Sequence, residues 1–392
     1  MRRIDLKNLQ VASSEMARDI NRIVLLNLIR GCQPVSRADL ARLSGLQRST
    51  VSLIIEQLIE ENWVVEGPTG RLPRGRRPTF LNLNDRRAMI GVDIRPVQTT
   101  VALADINGRF LAQETLATPA DPEIAVKRLV SIVRAWTKSH PDRTFDGIGV
   151  SLPGRLDPKS QRLIFAPNLK WRSFNLKAPL ERGAGLEVEF ENAANACALA
   201  EVWFGKVEGI RDLAVVTVSE GVGAGLLSNG HLVRGANGMA GEFGHVQLDP
   251  SGPPCTCGAR GCWEVFASNR AVVRYYRESK PSRQSAGFMD ILQLAQNGDQ
   301  RAVAAFEKMS GYLARGLRIL SVGLAPEVIM VVGEFTQLWD RFGPAIEAEV
   351  AAHSPGGRVP RVLPANQGQT ARLRGTFALI LQKYFGDGRV SH

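Results

Sequence analysis

Apolar residues recur with a helical period through the first sixty positions of the chain. Over 17–30, Ile20, Ile23, Val24 and Leu28 line one face, Leu26 and Ile29 widen it, and Gly31 ends the run. A second helix is expected from Ser36, an N-cap with Asp39 three residues on, burying Leu40, Ala41 and Leu43. Ser44-Gly45-Leu46 makes a tight turn. A third helix over 47–61 buries Val51, Ile54, Ile55, Leu58 and Ile59. The period then changes, and 63–65 and 79–83 read as the two strands of a hairpin. Past Asn84, runs at 89–94, 99–104 and 110–112 predict strands, with Asn107-Gly108 as a turn. A helix follows over 122–139 and a buried strand over 145–151. Helical spacing returns over 268–277, 288–296 and 299–318, with Tyr275, Tyr276, Leu292, Leu294, Phe306 and Leu313 as core. A last helix spans 370–385. Strands alternating with helices mean an α/β body behind a small helical head.

Composition fits this picture. A chain of 392 residues holds two or three domains, and 44% hydrophobic residues is the share of a globular protein. The net charge is +11, and it is uneven. Residues 1–80 carry 13 Lys or Arg against 8 Asp or Glu, a net +5. A basic terminal module suits a polyanion, nucleic acid first, although a solvated basic surface has the same composition. No segment reads as a signal peptide or bilayer span; the most apolar stretch, 319–333, contains Pro326 and Glu327. Five cysteines with no evident pairing argue for a reducing compartment, so a cytoplasmic protein without a membrane partner is expected.

Helix, glycine-containing turn, helix is the helix-turn-helix layout. The third helix opens with Gln47, Arg48, Ser49, Thr50 and Ser52, polar groups suited to base edges and phosphates in a major groove. Arg37, opening the second helix, joins these candidates. The hairpin tip carries Arg71, Arg74, Arg76 and Arg77 with no acid after Glu66, which makes it a wing for phosphates or a minor groove. A three-helix bundle with a polar face is the alternative that the charges alone leave open.

A different chemistry gathers between Gly241 and Glu264. The stretch reads G-E-F-G-H, a short loop, then C-T-C-G-A-R-G-C-W-E. His245, Cys255, Cys257 and Cys262 fill a tetrahedral zinc site completely, with no position left for water. Such an ion is structural. A disulfide, or a loop with incidental cysteines, is the competing account.

Several segments, in order, resemble the ROK family of repressors and sugar kinases. They are the wing motif Gly75-Arg76-Arg77-Pro78, then Gly91-Val92-Asp93, Pro153-Gly154-Arg155, and Pro167-Asn168-Leu169 with Trp171. Glu191-Asn192-Ala193-Ala194-Asn195-Ala196, Gly221-Val222-Gly223-Ala224-Gly225, the Cys/His stretch and the run into Val331-Val332-Gly333 complete the set. The resemblance implies a winged helix-turn-helix over 14–84 and a two-lobed actin-like (ribonuclease H-like) sugar-kinase fold. The first lobe would span 85–198, completed by a C-terminal helix at 370–387, and the second 199–369 with the zinc motif. It further implies that Gly154, Arg155, Asn168, Asn192, Glu242, His245 and Glu264 face a sugar.

The departures are as informative. Where the family's kinases have a Gly-Gly-Thr turn for ATP phosphates, this chain has Ile94-Arg95-Pro96-Val97, and proline offers no N–H. Where they have Asn-Asp-Ala-Asn, Ala193 replaces the general base, and a methyl group accepts no proton. Ser219-Glu220-Gly221 puts a carboxylate where phosphates would sit, and a usual Gly-Gly is Gly333-Glu334. The expectation is a non-enzymatic repressor of carbohydrate genes, binding palindromic operator DNA as a homodimer or dimer of dimers, with a sugar or sugar derivative as effector. A sugar kinase with an appended DNA-binding head, or a regulator governed by a partner protein, are the alternatives.

Overall fold

The head is a three-helix unit with a small sheet: α1 (Ser14–Cys32), β1 (Val35–Ser36), α2 (Arg37–Ser44), α3 (Arg48–Glu60), β2 (Val64–Thr69) and β3 (Thr79–Leu83). A computed structural model describes residues 14–69, 78–157, 160, 162–166, 169, 171, 174–205, 209–279, 286–352, 359–365 and 370–386. Ser36 caps α2, its hydroxyl accepting from the Asp39 N–H at 3.2 Å, and Gly45 ends it at φ 72°. The strands pair antiparallel in the order β1-β3-β2, which is a winged helix-turn-helix. The wing tip, with Arg74, Arg76 and Arg77, lies outside the described residues, as does Asn168.

Two expectations about the head's core need correction. Leu43 is 51% exposed, and on α1 the expected Ile20 and Val24 are exposed at 48% and 38%. The buried stripe of α1 is Leu25, Leu26 and Ile29. The helix is rotated because it packs on the last helix of the chain as well as on its own unit. Asn27 Nδ2 donates to the Phe385 carbonyl at 2.8 Å, and Trp63 of the head lies 4.5 Å, centroid to centroid, from Tyr384. One apolar cluster therefore runs from Leu25, Ile55 and Leu81 through to Phe377, Leu381 and Phe385.

The first lobe comprises β4 (Arg87–Ile94), β5 (Gln98–Asp105), β6 (Phe110–Ala117), α4 (Pro122–Ser139), β7 (Thr144–Leu152), β8 (Arg155–Leu156), β9 (Leu163–Phe165), α5 (Lys177–Ala184), β10 (Val188–Asn192) and α6 (Ala193–Phe204). The second comprises β11 (Leu213–Val218), β12 (Val222–Ser228), β13 (His231–Leu232), α7 (Trp263–Ala267), α8 (Asn269–Ser279), α9 (Phe288–Gln296), α10 (Gln300–Leu324), β14 (Val328–Val332), α11 (Trp339–Ala352) and β15 (Arg361–Pro364). The chain closes with α12 (Ala371–Phe385). The two five-stranded sheets, β6-β5-β4-β7-β10 and β13-β12-β11-β14-β15, have the same order of third, second, first, fourth and fifth strand. In each, the first three strands are antiparallel and the rest parallel. This duplication is the actin-like fold.

The central strands are apolar on both faces, so each sheet is covered on both sides. Ile90, Val92, Val150 and Leu152 pack under α4 and α5. On the other face α12 approaches so closely that a Cβ at Gly149 would lie 1.9 Å from the Thr376 carbonyl oxygen. In the second lobe, Val216, Val218, Ile329 and Val331 pack against Trp263, Phe306 and Phe335. The opposite face, Val215, Val328 and Met330, meets Cys197 and Ala198 of α6. Helix α6 thus lies between the lobes, and α12 lies under both the first lobe and the head. Among the described residues no helix is long and apolar enough to cross a membrane.

Candidate functional site

The Cys/His stretch folds as a turn fixed at both ends. Gly241 adopts φ 89°, and a Cβ there would lie 2.1 Å from the Ala224 carbonyl oxygen, so the G-E-F-G-H turn sits directly on β12. Cys255 N–H donates to Ala259 O at 2.8 Å, closing a tight loop. Cys262 leads into α7, where buried Trp263 donates from Nε1 to Tyr312 O on α10 at 3.0 Å. The loop and the helix bring the four donors together. One donor atom from each of His245, Cys255, Cys257 and Cys262 lies within 4.8 Å of the others. Cys255 Sγ is 3.6 Å from His245 Nδ1, and Cys257 Sγ is 3.6 Å from Cys262 Sγ. Tetrahedral zinc with bonds of about 2.0–2.3 Å sets its ligands roughly 3.5–3.8 Å apart, so the set fits such an ion. All five cysteines of the chain are free thiols, which removes the disulfide alternative. The Ala259 N–H holds the Cys257 thiol below its ordinary range, whereas burial pushes Cys255 and Cys262 up.

Two carboxylates flank the cluster. His245 turns Nδ1 to the thiols and Nε2 to Glu242 Oε2, 3.7 Å away. Glu264, only 6% exposed, has Oε1 3.1 Å from Cys255 Sγ and Oε2 3.9 Å from Arg270 Nη2. Glu242, His245 and Glu264 are therefore one group. Gly154, Arg155 and Asn192 form a second, at the edge of the first sheet where Asn192 pairs with Leu152. Asn192 caps α6, its Oδ1 accepting from Ala194 N and Asn195 N at 2.9 and 3.0 Å. Strand β12 touches the surroundings of both groups, since Ala224 N–H donates to Gly241 O at 3.2 Å. A Cβ at its Gly223 would lie 3.2 Å from Ala194 Cβ, and its other side carries the turn.

The positions to which the resemblance assigns phosphoryl transfer make other contacts. Ala193 opens α6. Arg95 Nε donates to Asp93 Oδ2 at 2.7 Å, and Arg95 Nη1 reaches Glu334 Oε1 of the other lobe at 3.3 Å. Glu191 accepts from Asn195 Nδ2 at 3.0 Å and from Arg234 of the second lobe at 3.0 and 3.2 Å. Arg234 was not singled out from the sequence, because it sits in a loop without a motif. A cavity of about 890 Å³ in the second lobe is lined in part by Glu220, Asn269, Arg270, Phe288 and Glu334.

In the head, Gln47, Arg48 and Ser49 are exposed at the start of α3, and Thr50 and Ser52 are half-buried. Gln47 caps α3 without a side-chain hydrogen bond, so the first amides of the helix face outward. Arg37 is turned to Glu66 of β2, with 2.8 Å between Nη1 and Oε1.

The description of the ROK family matches residues 89–383. The xylose repressor of Bacillus spizizenii is 30% identical over 382 residues, covering 96% of this chain and 98% of its own. Among solved structures, a ROK family transcriptional regulator, homolog of the E. coli MLC protein, has a TM-score of 0.82 and 24% identity, covering 95% of this chain and 98% of its own. A ROK family glucokinase from Streptomyces griseus, in complex with glucose and AMPPNP, has a TM-score of 0.69 and 31% identity, covering 75% and 99%. The match over 89–383 and a 30% identical relative along nearly the whole chain place this protein in the ROK family.

Proposed function

We propose that the protein is a sugar-responsive DNA-binding repressor of carbohydrate genes whose body no longer transfers phosphate. One observation carries the reading: α6 begins at Ala193, with no general base, in a body that shares its core with a winged head. Residues 14–84 act as the DNA-binding unit, 85–198 with the C-terminal helix (370–387) as the first lobe, and 199–369 as the second. Gln47, Arg48, Ser49, Thr50 and Ser52 face the major groove. Arg37, Arg74, Arg76 and Arg77 serve phosphates or the minor groove. Gly154, Arg155, Asn168, Asn192, Glu242, His245 and Glu264 hold a sugar or sugar derivative, amides and carboxylates matching hydroxyls that both donate and accept. His245, Cys255, Cys257 and Cys262 hold a structural zinc ion, and zinc supplies a fixed centre for the turn. His245 then keeps Nε2 for the Glu242 side, and Glu264 is positioned by α7.

The switch needs a ligand that favours one lobe arrangement over another. The Arg372 guanidinium on α12 donates to Ser219 Oγ of the second lobe at 3.0 Å, while the far end of the helix lies under Trp63. Lobe position is thereby coupled to the head. A homodimer presents two heads to a palindrome with half-sites about 34 Å apart per helical turn. Free thiols and a zinc thiolate cluster suit the cytoplasm. The test is footprinting of the DNA upstream of the protein's own gene, with and without D-xylose and a panel of other sugars. A symmetric protected site whose occupancy changes with one sugar is expected, with affinity falling steeply as salt rises. Absent protection, or ATP-dependent phosphorylation of a sugar that is lost in Asn192→Ala, would overturn the reading.

A further inference from the structure

Arg95 and Glu334 each look like damage in the sequence, since each stands where the family resemblance expects a glycine. They lie 239 positions apart, and they meet: Arg95 Nη1 is 3.3 Å from Glu334 Oε1. Arg95 belongs to the turn after β4 in the first lobe, and Glu334 follows β14 in the second. Both are largely buried, their side chains 19% and 16% exposed. Each is also held from its own side. Asp93 Oδ2 accepts from Arg95 Nε at 2.7 Å, and Asn269 Nδ2 donates to Glu334 Oε2 at 3.3 Å. We propose that Arg95 and Glu334 are a positioning pair, a built-in tie between the lobes that takes the place of a bound nucleotide in setting how far the cleft opens.

Charge supports the replacement. One guanidinium faces three carboxylates, Asp93, Glu334 and Glu220, all of which act on it. Burial would weaken its hold on the proton, but these carboxylates outweigh burial and raise its pKa. Asp93 and Glu334 hold the guanidinium internally, so it is not free to serve a polyphosphate. Two further hydrogen bonds carry the tie onward. Asn269 N–H donates to Ser219 O at 2.7 Å, and Ser219 Oγ accepts from Arg372 of α12. The tie therefore runs from the first lobe, across the second, and back to the helix beneath the head. Its link to DNA binding rests on the repressor reading. The tie itself does not, because it is defined by two lobes of one chain.

Hydrogen–deuterium exchange on the full-length, zinc-loaded protein tests it, without DNA or sugar. Arg95→Gln should speed exchange across 333–338, and Glu334→Gln across 93–98, about fivefold in each case. The double variant should exceed neither single by more than experimental scatter, because both changes remove one interaction. Arg95→Lys, which keeps the charge but not the two separated donors, should fall between wild type and Arg95→Gln. Calorimetry with Mg–AMPPNP should give no binding to the wild-type protein. Exchange that rises only in the lobe carrying the substitution would overturn the tie. So would additive effects in the double variant, exchange in Arg95→Lys faster than in Arg95→Gln, or sub-millimolar AMPPNP binding. Failure of the footprinting experiment would leave all four readouts standing, so the two ideas fall separately.

Discussion

The head meets the body through an apolar seam, whereas the two lobes, beyond their shared apolar packing on α6, are joined across the cleft by ion pairs and a hydrogen bond. In the seam, the Trp63 ring is 4.5 Å from Tyr384 and 6.0 Å from Phe385, with the Arg87 guanidinium 3.5 Å above it. Arg30 lies 4.3 Å over Trp203 and bonds the Trp203 carbonyl. At the cleft the contacts are Arg95 with Glu334, Arg234 with Glu191, and Arg372 with Ser219. The difference is mechanical. A packed apolar seam loses contact enthalpy as soon as a gap opens, so it behaves as a rigid joint. Charged hydrogen bonds exchange for water at a net cost of about 1.5–3 kcal/mol each, and only a few cross the cleft, so the cleft is the joint that can open. In the proposed function a sugar acts on the second joint, and the head follows through α12.

The largest expected effect is on the cleft side. Cys255→Ser removes one of four metal donors, and structural zinc sites contribute on the order of 10 kcal/mol of binding energy. Zinc per chain should fall to near zero by atomic emission, and sugar affinity should fall at least about tenfold as Glu242 and Glu264 lose their support. Operator binding should persist, because the head is held by the seam. Loss of DNA binding as well would show that the turn is not confined to the cleft side. Trp63→Ala comes next. A buried tryptophan truncated in a packed core costs about 3–5 kcal/mol, readable by urea unfolding. Operator binding that survives this change should no longer respond to sugar. A loss under about 1 kcal/mol, with the response intact, would mean the seam is not the joint described.

How much of this was visible in the sequence depends on how far apart the partners lie. Cys255, Cys257, Cys262 and His245 were legible because metal chemistry is written in donor types at short spacing. The Ser36–Asp39 cap and the Gly45 turn were legible for the same local reason. The buried face of α1 was misjudged, and Ile20 and Val24 proved exposed while Leu25 is buried. No local pattern carries that answer, since α1 packs on α12 at the other end of the chain. Likewise Arg95 and Glu334 could be read only as separate departures, because their complementarity exists only after the lobes close. Arg234 lacked any signal at all. The sugar-facing assignments rest on resemblance, and the geometry adds that Glu242, His245 and Glu264 form one group.

Two smaller effects sharpen the contrast. Glu201 is a buried carboxylate: it lies in α6, one turn on from Cys197, at 4% exposure, and neither carboxylate oxygen has a hydrogen-bond partner among the described residues. Burial lifts its pKa from 4.5 to about 7. The folded state therefore holds this proton more tightly than the unfolded chain. Its contribution is fully present below pH 4.5 and is lost as pH rises through about 7. Glu201→Gln should gain about 2 kcal/mol at pH 8 and flatten the unfolding profile between those limits. An unchanged profile would mean that the carboxylate is solvated and α6 is wetter at this point than described.

Arg234→Ala should have the smallest effect on stability and the most selective effect on function. The pair with Glu191 is partly exposed, Arg234 at 35%, and such pairs contribute less than about 1 kcal/mol. Glu191 also keeps other partners, since its Oε1 accepts from Asn195 Nδ2 and from Asn192 N–H, both at 3.0 Å. Its carboxylate therefore stays fixed when the guanidinium goes. What the substitution removes is only the crossing from one lobe to the other. If the cleft is the joint that moves, calorimetry should show sugar affinity changed by about threefold to tenfold, while the urea midpoint barely shifts. If the two readouts move together, the contact is ordinary packing, and the distinction between a rigid seam and a yielding cleft does not hold at this point.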